Sequence, residues 1–476
     1  MDRTLDFVII SIYLLIIALI GYFSGGKQKT TRDYFLGSDK VSWWAVTFSI
    51  VAAETSSLTF ISIPGLAYLT NLNFLQLAFG YIIGRIIVAS VLLPQYFKGE
   101  LSTAYAYLGN RFGNKTRSFA SIVFLFTRLL ADGVRLFATA IPLKLLLGID
   151  YPYAILIIAV ITLLYTVTGG VKGIIWVDVV QMFVYIGGAI ISLWFLFNSL
   201  LPGGITAVFQ SDYSQKFELI NLGFASGFSA FIKEPYSLIG GIIGGAFLSM
   251  ASHGTDQLIV QRLLVTKDLR EAKKAIITSG IAVFFQFALF LFIGISLYAF
   301  YGEIDIRADE IFPKFIIDNL PVGITGIIIA GLFAAAMSTL AGSISSLSSS
   351  VVFDLFPKFF NTDDDKKNLR ISRLMTIFWS LLLISAAIFF MNTSQSVVEL
   401  ALSIASFTYG GLLGTFLLGI LNKRINQNFA IISFILGLVG MGIFISLNLV
   451  AWTWYTFIGV LITLISGTIL AFFQKS

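Results

Sequence analysis

The sequence predicts an all-α polytopic membrane protein with about 13 transmembrane helices. Of its 476 residues, 57% are hydrophobic and only 12% are charged, a composition that soluble domains do not have. The apolar residues recur in stretches of about 20, which is the length of helix that crosses a bilayer. The alternating ten-residue segments of a β-barrel do not occur in the sequence. With no cysteine and one histidine, the composition also excludes disulfides, thiolate chemistry and His-rich metal sites.

Thirteen stretches have the composition of a span, and basic residues orient them. The connecting segments assigned to the inside hold 22 Lys and Arg residues, whereas those assigned to the outside hold five. By the positive-inside rule, this asymmetry predicts a multi-pass protein of the plasma (inner) membrane with its N-terminus outside and its C-terminus in the cytoplasm. The net charge of +6 therefore indicates topology, and no nucleic-acid partner is expected. The stretches are residues 5–24, 42–70, 73–95, 117–144, 153–169, 176–199, 237–261, 275–301, 322–353, 372–391, 396–420, 428–448 and 452–473.

The spans divide into two groups of five. We expect an extra N-terminal helix with its cytoplasmic loop at 1–41, a first group at 42–199, an outer loop at 200–236, a second group at 237–420 and two closing helices at 421–476. Because five is odd, the two groups enter the membrane with opposite orientation, which makes them inverted repeats like those of many secondary transporters. Each group opens with a helix that small polar residues interrupt, at 52–57 and at 249–255. Such breaks place free carbonyl groups and helix ends at the bilayer centre.

The first break and a later hydroxyl-rich helix provide the oxygen ligands that hard cations prefer. The interrupted helix frees carbonyl oxygens near Ala52 and Thr55. The later helix offers the hydroxyls of Ser338 and Thr339, and the Ala335 carbonyl lies one turn earlier. We predict that these five residues bind sodium. The alternative is that the two hydroxyls bond back to their own helical turn or allow close helix packing.

Six motifs, in their order and spacing, resemble those of the sodium solute symporter family. The resemblance covers nearly the whole chain and implies two inverted five-helix repeats with alternating access driven by sodium. The family's shared sodium site falls on the same five residues. Bacterial sodium–galactose and sodium–sialic acid symporters are similar, and residues 56–64 look most like the sialic acid branch. The motifs are Asp-Tyr-Phe-Leu at 33–36, Trp-Trp-Ala at 43–45, Gly-Gly-Val-Lys-Gly-Ile-Ile-Trp-Val-Asp-Val-Val-Gln at 169–181, Asp-Gln-Leu-Ile-Val-Gln-Arg at 256–262, the stretch 333–346 and Phe-Leu-Leu-Gly at 416–419.

The resemblance also bears on the number of sodium ions. Some members of the family hold a second sodium with further hydroxyls on the same helix as Ser338 and with an acid on the fifth core helix. The acid is present here as Asp178, but the matching hydroxyl positions are Ala341 and Gly342. We therefore predict one coupled sodium per cycle, and we expect Asp178 to serve helix packing or the cytoplasmic gate.

The solute ligands of the similar symporters are only partly kept. The sugar ligands of the galactose-transporting members fall on Thr59, Ala78, Ser249, Val283 and Leu402. Only two of these side chains can hydrogen-bond a hydroxyl, so the same hexose pose is not expected. The residues that face the carboxylate in the sialic acid symporter are kept as Ser56 and Thr59, but its ligand-binding arginine falls on Ala131.

Several charges within the predicted spans are this chain's own. Arg128, Asp132 and Arg135 follow at i, i+4 and i+7 and form one stripe on a helix. Glu54 lies in the first break, and Arg85 lies in the next helix. An intramembrane charge costs about 2.5–3.5 kcal/mol on insertion scales, so each needs a partner or a water-filled cavity. Either Glu54, Asp132 and one of the arginines bind a polar or ionised solute, or the charges neutralise one another. The neutralising pairs would then be Asp132 with Arg128, Asp132 with Arg135 and Glu54 with an arginine.

The second break and two aromatic residues complete the candidates. His253 could face the solute together with Ser249 and Ser252, or it could be a satisfied core residue. Phe74 and Phe407 fall where the family places gating aromatics, and plain packing is the alternative. We predict that Asp178 and Phe407 support gating. The predicted solute-binding residues are Glu54, Ser56, Thr59, Phe74, Asp132, Arg135, Ser249, Ser252 and His253.

These observations predict a sodium-coupled symporter that carries a small polar organic solute, such as an organic acid, a sugar acid, a sugar or a polyol, into the cell by alternating access. The expected cofactor is the coupling ion Na⁺ alone, with no organic cofactor, and the expected state is a monomer in the lipid bilayer. Proton coupling through Glu54 or Asp178 is one alternative, and a solute-binding membrane sensor without net transport is another. An enzyme is not expected, because the sequence shows no nucleophile–base pair and has a single histidine. ATP-driven transport is not expected, because no phosphate-cradling loop is present in the sequence.

Overall fold

The computed structural model of the protein describes residues 3–37, 40–55, 57–99, 101–224, 227–356, 364–392 and 397–473. Every regular element in these ranges is a helix, and one isolated bridge joins Val41 to Thr266. Ten helices of the described chain are long and apolar enough to cross a membrane, or eleven if one bent pair counts as a single span. The all-α membrane fold is thus confirmed, whereas the count of thirteen, the inverted repeats and the domain boundaries stay predictions.

The helices are numbered along the chain, with short turns left unnumbered. Three short turns, Ile205–Val208, Ser211–Phe217 and Phe228–Lys233, lie between α8 and α9. The numbered helices are α1 (Thr4–Ser24), α2 (Thr31–Leu36), α3 (Trp43–Glu54), α4 (Ser57–Leu69), α5 (Phe74–Phe97), α6 (Ala104–Phe112), α7 (Asn114–Leu147), α8 (Tyr151–Phe195), α9 (Leu238–Gly254), α10 (Gln257–Leu264), α11 (Leu269–Tyr301), α12 (Ala308–Asn319), α13 (Ile324–Ser350), α14 (Asp365–Phe389), α15 (Val397–Leu421), α16 (Gln427–Ser446) and α17 (Tyr455–Phe472).

Both predicted breaks are present. Helix α3 ends at Glu54, and the chain bends by 63° before it continues as α4. Helix α9 ends at Gly254, and α10 starts after Asp256, whose carboxylate accepts a hydrogen bond from the Leu258 amide at 2.9 Å. This carboxylate satisfies one of the free amides that every helix N-terminus has. The breaks therefore leave open helix ends within the bundle.

The predicted cytoplasmic loop at 170–175 is wrong. Within α8 only Gly170 leaves the helical conformation, with φ 56° and ψ −163°, and residues 171–175 are helical. Glycine alone adopts this backbone without strain. A side chain at this position would also meet the Tyr34 carbonyl oxygen at 2.7 Å. Gly170 alone thus makes the turn, in place of the six-residue loop predicted around Lys172.

Helix α13 lies at the centre of the bundle, and α1 holds one of its ends. Nearly every residue of α13 is buried. The buried Asp6 side chain on α1 accepts hydrogen bonds from the amides of Gly323 and Gly326, at 2.6 and 2.8 Å. An acid at a helix N-terminus satisfies free amides and interacts favourably with the helix dipole. The extra N-terminal helix therefore anchors the helix on which Ser338 and Thr339 lie.

Candidate solute and ion site

A cavity of about 340 Å³ lies inside the bundle, next to both helix breaks. It extends from Leu69 and Ala308, where α4 ends and α12 begins, to Glu54 and Arg135 in its interior. Six of the predicted solute-binding residues line it, namely Glu54, Thr59, Phe74, Arg135, Ser252 and His253. Its wall also includes apolar side chains, among them those of Ile63, Leu248 and Phe287. A mostly apolar wall with a few polar groups is typical of a small-molecule site.

Glu54 forms a polar cluster on this wall. Its Oε2 atom is paired with Arg85 and lies 3.3 Å from His253 Nε2. Arg85 also donates to Ser279 Oγ at 2.7 Å, and Ser252 Oγ lies 2.8 Å from His253 Nδ1. Arg85 is fully buried, whereas 17% of the Glu54 side chain is exposed. Arg85 thus neutralises the charge of Glu54 from the buried side, and Glu54 faces the cavity.

The stripe on α7 forms a second cluster. Asp132 is bound by Arg128 at 3.2 Å, by Arg135 at 3.0 Å and by Ser343 at 2.5 Å. Arg128 also pairs with Asp256 at 2.6 Å. Asp132 is 2% exposed and is not part of the large cavity's wall, whereas the Arg135 side chain is 22% exposed and is part of it. Asp132 therefore lies behind the cavity wall and positions Arg135 on it.

Two further predicted residues lie away from the cavity, and one lies outside the described residues. Ser249 is 1% exposed and donates to the Tyr81 carbonyl oxygen at 3.1 Å, so it is a packing contact between α9 and α5. The Phe407 ring faces Gly442 on α16. Ser249 and Ser252 were predicted together because both lie in the second break, but only Ser252 is on the cavity side of α9. Ser56 is the residue outside the described ranges.

Several polar residues of the cavity wall were not among the predicted solute-binding residues, and Ser62, Asp309 and Tyr409 are three of them. Asp309 on α12 accepts a hydrogen bond from Ser62 at 2.6 Å near the mouth. Tyr409 on α15 donates to Asp256 at 2.8 Å. Ser62 was detectable, because it lies one turn after Thr59 on the same helical face. Asp309 was assigned to an outer loop, since its helix is short and charged.

The five predicted sodium residues lie at the junction of α3 and α13. Thr339 Oγ1 donates to the carbonyl oxygens of Ala53 and Ala335, each at 3.2 Å. Ala52, Thr55 and Ala335 line a second, small cavity of about 10 Å³. Ser338, one turn further along α13, donates to Asp178 Oδ1 at 2.6 Å. The carbonyl and hydroxyl oxygens collected at this junction are neutral, and each keeps a lone pair to offer to a cation.

Asp178 is balanced by an arginine at the far side of this junction. Its Oδ2 atom accepts from Arg262 at 3.0 Å and from Ser49 at 2.5 Å, and both charged side chains are almost fully buried. The guanidinium lies directly over Gly342, where a Cβ atom would be 2.7 Å from Nη2 and 2.8 Å from Nη1. The absence of a side chain at Gly342 therefore makes room for the arginine.

Polar contacts hold the helices together at the end of the bundle opposite the mouth of the large cavity. Tyr34 on α2 donates to the Thr166 carbonyl oxygen at 3.1 Å. Asp354 pairs with Arg117 at 2.7 Å and accepts from Thr103 at 2.6 Å. At the mouth of the large cavity, by contrast, the segment before α9 lies against α4. There Lys216 donates to the Tyr68 carbonyl oxygen at 2.6 Å, and partial burial lowers the pKa of this lysine.

A cavity that begins at one end of a helical bundle and stops beside two broken helices is characteristic of a secondary membrane transporter. The model of the sodium:solute symporter family matches residues 34–437, and the chain belongs to this family. It is a sodium-coupled symporter and not an enzyme.

Known relatives and solved structures agree with this assignment. The chain is 29% identical to the sodium/sialic acid symporter of Aliivibrio fischeri, over 98% of this chain and 93% of that protein. It is 27% identical to human sodium-coupled monocarboxylate transporter 1, over 91% of this chain and 72% of that protein. The structure of a Na⁺-coupled sialic acid symporter, in a substrate-bound outward-open state, superposes with a TM-score of 0.90 at 28% identity, over 100% of this chain and 99% of that one.

Proposed function

We propose that this protein carries a small polar organic solute into the cell together with one sodium ion. The sodium binds between the end of α3 and the middle of α13, at Ala52, Thr55, Ala335, Ser338 and Thr339. The observation that supports this most directly is the Thr339 hydroxyl, which already joins α13 to the Ala53 carbonyl oxygen beside the break. A cation at this position would bridge the same two helices. The solute binds next to it, in the large cavity, and the protein acts as a monomer.

The single sodium is supported by the pair of Arg262 and Asp178. In this chain Asp178 has a permanent cationic partner at 3.0 Å, and the guanidinium takes up the space over Gly342. A buried carboxylate with one cation is balanced, and a second cation beside it would leave an uncompensated charge. The sodium stoichiometry is therefore one per solute.

The transport cycle follows from the position of the ion. Sodium enters from the outside through the large cavity, joins α3 to α13 and fixes the broken helix on which Glu54 lies. The solute then binds to a wall that is already ordered, which makes the two ligands bind cooperatively. Both leave towards the cytoplasm after one group of helices rocks against the other. The contacts of Tyr34 and Asp354 have to open in that step.

Proton coupling through Glu54 or Asp178 is the alternative, and the pairing of both acids speaks against it. Arg85 binds the carboxylate of Glu54, and Arg262 binds the carboxylate of Asp178. Arginine stays charged under all physiological conditions, so each carboxylate has a permanent cationic partner. A carrier of protons would have to lose such a partner in each cycle.

The proposal is tested by uptake into proteoliposomes in which sodium is replaced by potassium. We expect uptake to need sodium, with a Hill coefficient of one. Thr339→Val, which exchanges the hydroxyl for a methyl group of similar size, should raise the sodium concentration for half-maximal uptake at least tenfold. Ser385→Ala on α14 is the matched control, because this exposed hydroxyl only bonds back to Leu381. Uptake that is equal in the two salts would refute the proposal.

A further inference from the structure

The charges in the interior of the site cancel within closed sets, and the carboxylate of Asp309 lies apart from them at the mouth of the cavity. Glu54 is paired with Arg85, and Asp178 is paired with Arg262. The cluster on α7 contains two arginines and two aspartates, and its members are Arg128, Arg135, Asp132 and Asp256. Each of these three sets therefore has a net charge of zero. The proposed sodium ligands are all neutral oxygens, so one bound sodium leaves the interior of the site with one positive charge.

Arg135 is the arginine that can take up an anion. Arg128 uses Nε, Nη1 and Nη2 for Asp256 and Asp132, and Arg85 is fully buried behind Glu54. Arg128 and Arg135 both line the large cavity, but in Arg135 only the Nη1 atom has a partner among the described residues, Asp132 at 3.0 Å. A guanidinium with a free edge binds a carboxylate through two parallel hydrogen bonds.

Glu54 offers an acceptor on the same wall. Its Oε2 atom is engaged by Arg85 and His253, whereas no described residue donates to Oε1. A neutral hydroxyl of the solute can donate to this oxygen. An ammonium group fits less well, because Arg85 already balances the glutamate and the proposed sodium lies at the neighbouring residues Ala52 and Thr55. A further cation there would be repelled.

We infer that the solute is a hydroxylated monocarboxylate, with its carboxylate on Arg135 and a hydroxyl on Glu54. The inference rests on the proposed one-sodium symport, since the negative charge of the solute balances that of the ion. The carbon skeleton packs against the apolar wall that includes Phe74 and Phe287. A second carboxylate on the solute is disfavoured, because the remaining polar wall presents the carboxylates of Glu54 and, at the mouth, Asp309.

The test is a matched set of compounds added to the purified protein in sodium, with the melting temperature as readout. Hydroxy acids of three, four and six carbon atoms (glycerate, threonate, gluconate) are compared with the plain acids, the polyols and the hydroxylated diacids of the same lengths. For at least one length we expect the hydroxy acid to bind ten times more tightly than its three partners, because a site built for a hydroxyl rejects analogues without it. If no hydroxy acid does so, the inference is overturned.

Two variants locate the binding groups. Arg135→Gln should reduce the affinity for the hydroxy acid at least tenfold and leave the stabilisation by sodium alone unchanged. Arg111→Gln is the matched control, because this arginine binds Gly419 and Asn422 outside the cavity.

In the double variant Glu54→Gln with Arg85→Gln, which leaves no unpaired charge, the preference for the hydroxy acid over the plain acid should fall at least fivefold. An Arg135→Gln protein that still prefers the hydroxy acid over the polyol would overturn the inference. If sodium alone fails to stabilise the parent protein, the proposed ion site fails instead, whichever compounds bind.

Discussion

The pair of Arg262 and Asp178 provides a quantitative prediction, because both residues are inside the protein. Asp178 is fully buried and Arg262 is 2% exposed. The guanidinium binds Asp178 at 3.0 Å, Ser49 at 2.8 Å and the Leu258 carbonyl oxygen at 2.9 Å. Arg262→Leu removes all three contacts and leaves a buried carboxylate without a cation. Breaking such a pair costs about 3–5 kcal/mol, so we expect a loss of this size in the free energy of unfolding, measured in potassium.

Sodium should then partly replace the arginine. Without the guanidinium, Asp178 keeps the hydroxyls of Ser49 and Ser338, and the space over Gly342 becomes free. A sodium ion that binds there at 100 times its dissociation constant would restore about 2.7 kcal/mol. The Hill coefficient for sodium should also rise above one. The measurements are thermal unfolding of the purified variant in sodium and in potassium, and sodium titrations of binding or uptake.

The double variant Arg262→Leu with Asp178→Asn is the control for these measurements. It carries no unpaired charge, so most of the lost stability should return without any help from sodium. If Arg262→Leu unfolds within 1 kcal/mol of the parent in potassium, the pair does not contribute as the structure indicates. If its Hill coefficient for sodium stays at one, the idea that the arginine stands in the place of a cation is wrong.

Two further predictions concern the frame around the site, and a third concerns the net charge that is carried. Asp6→Ala removes the cap of α13 and should lower the free energy of unfolding by about 1–2 kcal/mol, measured by thermal unfolding. A sodium titration of the folded variant should give the same sodium affinity as the parent. Gly65→Val should destabilise the protein by about 1–3 kcal/mol or more in the same unfolding assay, because a Cβ atom there would lie 2.1 Å from the Ala308 carbonyl oxygen. A variant as stable as the parent would contradict the close contact of α4 and α12. A monocarboxylate and one sodium carry no net charge together, so accumulation of a monocarboxylate should not respond to membrane potential. The driving force for a neutral solute with one sodium would instead grow by about 2.3 kcal/mol per 100 mV. Tracer uptake at membrane potentials set with valinomycin distinguishes the two cases.

The helix breaks could be predicted from the sequence because they depend on local composition. The small and hydroxyl-bearing residues at 52–57 and 249–255 stand out within apolar stretches, and α3 and α9 end inside these ranges. The stripe on α7 was equally readable, since its three charges recur at helical spacing. For Gly170 the sequence was ambiguous, because a lysine nearby indicates a loop while a single positive-φ glycine can make the same turn.

Which side chains reach the cavity could not be read from the sequence. Ser249 and Ser252 are three residues apart, yet the rotation of α9 turns only Ser252 towards the cavity. Asp132 was expected at the solute, but Ser343 on α13 and two arginines enclose it. Neutralisation of Glu54 and Asp132 by arginines was one of the two alternatives, but the pair of Arg128 with Asp256 joins helices that are far apart in the chain. Such pairings depend on how the helices pack, and one sequence does not contain that information.

The central claim is that sodium binds at the junction of α3 and α13, and the most direct measurement is the melting temperature in sodium against potassium. Ser338→Ala and Ser49→Ala form a matched pair for it, because both hydroxyls donate to Asp178, at 2.6 and 2.5 Å, while only Ser338 belongs to the proposed ion site. Ligands that bind the folded state raise its stability by mass action. We predict that sodium stabilises the parent and Ser49→Ala but not Ser338→Ala. Equal melting temperatures of the parent in the two salts, or a sodium effect that survives in Ser338→Ala, would contradict the account.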